Sequence, residues 1–206
     1  PAQERGFVRG RSSQLLANAF LLSVISVAMC FGMLGIAFFV WGWTDRSIFP
    51  TEAAFELTQA QMIGIAVAGC IFLMVALVTR ARWLASLAGP AAFEWFLVTA
   101  LILAMCVIVL SRSWYACKIS GQEPKDVWLG TTIRHTDSPV LLAIDLIVTA
   151  VHLCMPIRWI ILFPLEVVGA ALYVACVAIG SPETNALMNL AMLVCLIAMA
   201  AIGKRS

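Results

Sequence analysis

Charged residues are scarce in this sequence. Only 12% of its 206 residues are Asp, Glu, Lys or Arg, well below the roughly 25% typical of soluble domains. Hydrophobic residues make up 63% of the chain, and the mean hydropathy is +1.00. This composition excludes a soluble globular domain. It indicates an integral membrane protein whose main partner is the lipid bilayer.

Residues that carry catalysis or bind metals are also sparse. The two histidines, His135 and His152, are too few for a His-rich metal centre of the membrane desaturase type. The sequence contains no HExxH, GxSxG or Walker pattern, no Arg-rich voltage-sensor helix and no CxxC pair. We therefore expect no enzyme activity, no cofactor and no metal site in these residues. Any catalysis would lie in a further domain.

The seven cysteines do not form a disulfide pattern. Six of them lie inside apolar runs, and Cys117 falls in a polar segment that contains no second cysteine. Buried free cysteine packs as a small hydrophobic residue. We interpret these cysteines as packing residues, and a disulfide framework is not expected.

Six apolar runs are long enough, or nearly long enough, to cross a bilayer, which requires about 20 helical residues. They cover about residues 15–43, 59–79, 93–111, 139–155, 157–180 and 184–202. The sequence therefore predicts one all-α transmembrane domain, residues 1–206, built as a bundle of six helices. Because the chain starts with Pro1 and stops in a basic stretch, we expect it to be a fragment of a longer chain.

Local signals mark where some of these helices begin and how they pack. Thr51 is placed to cap the second span, and Asp137 precedes Ser-Pro at the start of the fourth. Gly64 and Ala68 are a small-xxx-small pair, which allows close helix packing. Residues 112–138 form the one long predicted loop, and its three aromatic residues predict that it covers the bundle or lies on the membrane surface.

The basic residues predict the orientation, because cytoplasmic loops are enriched in Lys and Arg. With the amino terminus inside, one acid, Glu4, and eight basic residues lie on the inner side. These eight are Arg5, Arg9, Arg11, Arg80, Arg82, Arg158, Lys204 and Arg205. Both termini are then cytoplasmic. The basic residues face lipid head groups, so nucleic-acid binding is not expected. If Pro156 only kinks one helix, the count is five and the carboxyl terminus lies outside.

Residues 139–180 combine an apolar run with four ionisable side chains: Asp145, His152, Arg158 and Glu166. A charge at the centre of a bilayer costs about 2.5–3.5 kcal/mol on insertion scales. Counting about 1.5 Å per residue from the outer ends places His152 about 20 Å deep and Glu166 about 21 Å deep on neighbouring antiparallel helices. Asp145 lies two turns above His152 on the same face. The four residues are therefore the candidate intramembrane site.

Two interpretations of this site remain open. In the first, His152 and Glu166 form a proton or cation site, with Asp145 as an outward relay. In the second, they are polar contacts that hold the helices together, and Glu166 contacts either His152 or Arg158 two turns away. Glu94, at the edge of the third span, is interpreted as an interfacial residue.

The basic arm RGFVRGRSS, the six short-looped spans and the exit AMAAIGKRS form a recognisable architecture. The chain resembles the six-helix membrane anchors of class III adenylyl or guanylyl cyclases and of related sensor proteins. The resemblance covers all 206 residues but includes no catalytic motif. It implies a membrane domain that holds, dimerises and regulates a cytosolic signalling effector, here one that would follow residue 206.

We accordingly expect a non-catalytic membrane anchor or sensor domain, with a homodimer formed through helix packing. A small proton-coupled transporter or channel that uses His152, Glu166 and Asp145 is the first alternative. An accessory subunit of a larger membrane complex is the second.

Overall fold

The computed structural model describes residues 2–40, 42–81, 89–129 and 136–205. Within these ranges the protein is all α, as the sequence predicts, and contains no strand. Arg82 and His135 lie outside the described residues. The helices are α1 (Ala2–Phe39), α2 (Glu52–Arg80), α3 (Pro90–Leu110), α4 (Ser113–Ile119), α5 (Pro124–Trp128), α6 (Ser138–Cys154), α7 (Trp159–Gly180) and α8 (Ala186–Arg205), with a 3-10 turn at Arg46–Ile48.

Five of these helices are long and apolar enough to cross a membrane. They are α1, α2, α3, α7 and α8. Helix α6 is equally apolar but has only 17 residues. Most boundaries differ from the predicted ones by a few residues. Helix α2, however, begins at Glu52 instead of residue 59, and α1 begins well before residue 15 and ends at Phe39 instead of residue 43.

Long helices that follow one another in the chain are antiparallel. The N–H of Ser113, after the end of α3, donates to Gln61 near the start of α2 at 3.2 Å. The hydroxyl of Ser181, after the end of α7, donates to Asp137 at the start of α6 at 2.5 Å. We call the two ends of the bundle the Arg158 end and the Trp114 end, after residues that lie there. Helices α1, α3 and α7 begin at the Arg158 end and finish at the Trp114 end.

The predicted start of α2 at Thr51 is confirmed. Thr51 is the N-cap of α2, where its hydroxyl accepts a hydrogen bond from the N–H of Ala54 at 3.1 Å. Helix α3 begins at Pro90, directly after Gly89. Gly89 has a φ of +79°, a left-handed conformation that glycine adopts without steric cost.

The predicted loop at 112–138 is wrong in part, because it contains α4 and α5. Their inner faces form a small core in which Cys117, Val127 and Trp128 pack against Ala54 of α2. The hydroxyl of Thr51 also donates to the carbonyl of Val127 at 2.7 Å. Helices α4 and α5 therefore form a layer over the Trp114 end of the bundle.

The packing of α2 against α3 depends on the predicted small pair. Gly64 and Ala68 are both buried, and Ala68 is fully enclosed. A Cβ added at Gly64 would overlap the Cβ and Oγ of Ser111 at the end of α3. The glycine therefore sets how closely these two backbones approach.

The alternative in which residues 139–180 form one kinked helix is wrong. Helix α6 ends at Cys154, α7 begins at Trp159, and the two helices are antiparallel. Met155 and Arg158 have extended backbones. Pro156 explains the break, because proline disfavours the helical conformation of the residue before it.

Candidate functional site

The structure brings His152 and Glu166 together. Nε2 of His152, in the last turn of α6, lies 2.9 Å from Oε1 of Glu166 in α7. Only 3% of the His152 side chain and 7% of the Glu166 side chain are exposed, so the contact is shielded from both lipid and water. Charges in such a place are retained only when they are paired.

The end of α6 and a proline within α7 lie close to this contact. At the end of α6, Asn18 of α1 donates its amide N–H to the carbonyl of Cys154, one of the carbonyls that a helix end leaves without a helical partner. In α7, Pro164 lies inside the helix two residues before Glu166. Proline has no N–H to donate and so interrupts the helical hydrogen bonding there. The pair therefore lies beside the end of α6 and beside a proline within α7.

Arg158 does not contact Glu166, which overturns that interpretation. Its Nε donates to Oε2 of Glu94 at 3.0 Å, and its backbone N–H points to the same oxygen at 3.4 Å. Arg158 is about half exposed, whereas the Glu94 side chain is 6% exposed. The carboxylate therefore lies at the positive N-terminal end of α7, where helix dipole and guanidinium both favour it.

Glu94 was accordingly misassigned as an interfacial residue. It is a buried residue of α3 that ties the start of α7 to the start of α3. These two helices are parallel and are not consecutive in the chain, so no loop length indicates that they are neighbours. The one available signal was its position inside an apolar segment, four residues after Pro90.

Asp145 is half-buried in α6, and its carboxylate accepts a hydrogen bond from the hydroxyl of Thr149 at 3.1 Å. It lies on the side of His152 that leads towards the Trp114 end. Of the four predicted site residues, the structure thus joins His152 to Glu166 and gives Asp145 and Arg158 other partners.

A second polar cluster, centred on Asp137, was missed. Asp137 is the N-cap residue of α6, and its side chain makes no capping hydrogen bond. Its carboxylate is fully buried and accepts hydrogen bonds from the hydroxyls of Tyr115 at 2.5 Å, Tyr173 at 3.0 Å and Ser181 at 2.5 Å. The cluster thereby joins α4, α6, α7 and the connection before α8.

Glu183 extends this cluster to α8. One of its carboxylate oxygens accepts the backbone N–H of Asp137 at 3.0 Å, and the other accepts the amide of Asn189 at 2.6 Å. The sequence signal was the pair of helix-start motifs, Asp-Ser-Pro and Ser-Pro-Glu. Their spacing along the chain does not show that they meet.

Burial and the hydrogen bond to Asp137 raise the pKa of the Tyr115 hydroxyl well above its ordinary range. Tyr115 is therefore a neutral hydrogen-bond donor at physiological pH. Burial also raises the pKa of the Cys117 thiol, which donates to the carbonyl of Gln122 at 3.4 Å. All seven cysteines are free thiols. In the described ranges, no group of three or more His, Cys, Asp or Glu side chains is arranged to hold a metal ion.

The fold and these contacts define a class of protein: a multi-pass integral membrane protein with buried polar contacts between its helices. Comparison with protein-family models, with curated proteins and with solved structures gave no significant match.

Proposed function

We propose that this protein is a non-catalytic membrane sensor domain with six spans and both termini in the cytoplasm. Its switch is the contact between His152 and Glu166, and its output is the position of α8, which regulates a cytosolic effector. The observation that carries the proposal is the 2.9 Å contact between these two buried side chains on separate helices. The effector has its support in the sequence resemblance.

The His152–Glu166 pair is neutral only when it holds one proton, whichever of the two side chains carries it. A second proton leaves one uncompensated positive charge inside the bundle, and loss of the proton leaves one negative charge. Breaking a buried pair in this way costs about 3–5 kcal/mol. A gain of one proton therefore favours separation of α6 from α7 in the last turn of α6.

Helix α8 is placed to respond to this separation. It packs against both α6 and α7, and its Leu193 and Ile197 are buried in the main core. A shift of α6 relative to α7 changes the surface on which α8 lies. This is how one buried contact could be read out at the end of the chain.

The length of α6 is compatible with a sixth span. Its 17 residues rise about 25 Å, somewhat less than the roughly 30 Å of a hydrocarbon core. The extended residues after it add the missing distance. Non-helical backbone is tolerated at this depth only where protein surrounds it, and both Met155 and Ile157 are 2% exposed.

Transport through the same residues has less support. A large cavity lies at the Trp114 end, and a small one of about 10 Å³ lies beside Met155. Neither is lined by His152, Glu166 or Asp145. A relay would require water or polar groups that lead away from the pair.

The proposal is tested by hydrogen exchange of the full chain in lipid nanodiscs over a range of pH, corrected for the intrinsic exchange rate. As the pH falls, we expect exchange in the last turn of α6 and along α8 to rise at least tenfold. His152→Gln should remove this pH dependence, because without the imidazole the pair cannot acquire a net positive charge. Asp145→Asn is the matched control, because it removes another carboxylate of α6, the one that is bonded to Thr149. This variant should behave as the unmodified protein does.

Two results would contradict the sensor function. Equal pH dependence in the unmodified protein and in His152→Gln would show that the pair is a purely structural contact. Proton flux into sealed vesicles that is lost in Glu166→Gln would show a transporter instead.

A further inference from the structure

A cavity of about 310 Å³ lies at the Trp114 end of the bundle. Its volume is at the lower end of the range for small-molecule sites, about 300–1,000 Å³. The walls come from the end of α1 and the connection after it, the first half of α2, the start of α6 and the layer formed by α4 and α5. They include Trp43, Phe49, Trp114, Tyr115, Trp128 and Arg112.

Arg112 brings a positive charge to this cavity, whose lining is mostly apolar and includes five aromatic residues. Burial lowers the pKa of its guanidinium, although an arginine stays charged at neutral pH. No carboxylate of the described residues lies within ion-pair distance of it. The nearby Asp137 carboxylate is already used by three hydroxyl donors, including that of Tyr115.

The other polar groups of the cavity are largely committed to the protein itself. The Thr58 hydroxyl donates to the carbonyl of Ala54 at 2.9 Å. The Gln61 carbonyl oxygen accepts from the N–H of Ser113 at 3.2 Å. The guanidinium is therefore the group that a ligand would meet first.

We propose that this cavity binds a small amphiphilic anion, a carboxylate or phosphate joined to an apolar body. A partly desolvated guanidinium without a counter-ion is unfavourable. An oxyanion that pairs with it neutralises the charge and offsets this cost. The planar fork of arginine matches a carboxylate or phosphate with two parallel hydrogen bonds. The aromatic walls contribute apolar contact for the rest of the molecule.

The aromatic residues of the cavity are not arranged as an interfacial belt. Belt residues expose their rings to lipid head groups, whereas Tyr115 is 2% exposed and Trp128 is 7% exposed. The indole N–H of Trp114 donates to the carbonyl of Gly180 at 2.8 Å, which fixes this ring against the end of α7. The walls are held in place before a ligand arrives, and this lowers the entropic cost of binding.

This site goes beyond the sensor function and is independent of it, because binding is measured without any output. The full chain in nanodiscs of zwitterionic lipid is titrated with octanoate and with octyl phosphate, and binding is followed by tryptophan fluorescence and thermal stability. We expect saturable binding of at least one of these anions. Octanol and octylamine should not compete, since neither presents an oxyanion.

Arg112→Gln should weaken binding at least tenfold, and Arg112→Lys should recover only part of it because lysine lacks the fork. Lys125→Gln is the charge-matched control. It removes a positive charge from α5, outside the cavity, and should bind as the unmodified protein does. Ala37→Leu fills part of the cavity from α1 and keeps Arg112, so it should also weaken binding. It is the test variant to use if Arg112→Gln does not fold.

The source of the anion is distinguished by adding anionic phospholipid to the nanodiscs. Competition with octanoate in the unmodified protein, but not in Arg112→Gln, identifies a lipid head group as the occupant. Unchanged octanoate affinity identifies a free amphiphilic anion. Absence of saturable binding of both probes, or equal binding by the unmodified protein, Arg112→Gln and Ala37→Leu, would overturn the proposal.

Discussion

The carboxylate of Asp137 is fully buried and is the acceptor for the hydroxyls of Tyr115, Tyr173 and Ser181. The sequence contains only two tyrosines, and both are in this cluster. Tyrosine ionisation, measured by ultraviolet absorbance, therefore reports on the cluster directly. In a Tyr173→Phe background the signal comes from Tyr115 alone.

We predict that Tyr115 stays protonated in the folded protein above its ordinary pKa of about 10. Burial, the hydrogen bond to Asp137 and the negative charge of Asp137 raise its pKa. Because the folded pKa lies above the unfolded one, this contribution to stability is complete below about pH 10 and falls as the pH rises further. The free energy of unfolding should therefore decline in alkaline solution, and less steeply in Tyr115→Phe.

Asp137→Asn separates the causes of this pKa shift. It removes the negative charge and changes the hydrogen bond but leaves the burial, so tyrosinate should form at a lower pH than in the unmodified cluster. Asp126→Asn, an exposed acid of α5, is the control and should leave the titration unchanged. A normal Tyr115 titration in the Tyr173→Phe protein would contradict the buried hydrogen bond.

At the scale of elements, the contact between α2 and α3 depends on Gly64. We predict that Gly64→Ala lowers the free energy of unfolding by about 1–3 kcal/mol, the usual cost of overpacking, because its Cβ would overlap Ser111. Gly35→Ala in α1 meets no atom within 4 Å. It should be neutral or slightly stabilising, since alanine favours a helix. Thermal or chemical unfolding in detergent measures both.

A second substitution tests whether this steric contact is the cause. In Gly64→Ala/Ser111→Gly the overlapping Cβ and Oγ are both absent, and most of the lost stability should return. Gly64→Ala/Ser111→Ala keeps the Cβ and should recover less. If the two double variants are equally unstable, the glycine acts through something other than its distance from Ser111.

The helices differ in how far the sequence could predict their contacts. Helix rise and a short connection predict that His152 and Glu166 lie at matching depth, because consecutive helices joined by a few residues are adjacent. The same reasoning cannot pair Glu94 with Arg158, which are 64 residues apart on non-consecutive helices. It also cannot bring Tyr115 to Asp137, since this contact depends on how α4 folds back over the bundle.

At the scale of the whole molecule, the distribution of basic residues bears on the orientation of the bundle in the membrane. Arg80 and Arg158 lie at the end of the bundle where α1 begins, the end that the sequence predicts to be cytoplasmic. The cavity at Arg112 and the Asp137 cluster lie at the opposite end. In the proposed orientation, with the amino terminus in the cytoplasm, any ligand of the cavity arrives from outside the cytoplasm.

We predict that reporters fused after Pro156, Ser181 and Ser206 are cytoplasmic, external and cytoplasmic, respectively. The six-span orientation requires this alternation, because α6 and α7 each cross the membrane. If α6 and α7 together crossed only once, the reporter after Ser181 would be cytoplasmic and the one after Ser206 external. Paired fusions to a fluorescent protein and to alkaline phosphatase measure each position. Glycosylation acceptors inserted in the full chain at the same sites exclude an effect of truncation, and an external carboxyl terminus in both measurements would contradict six spans.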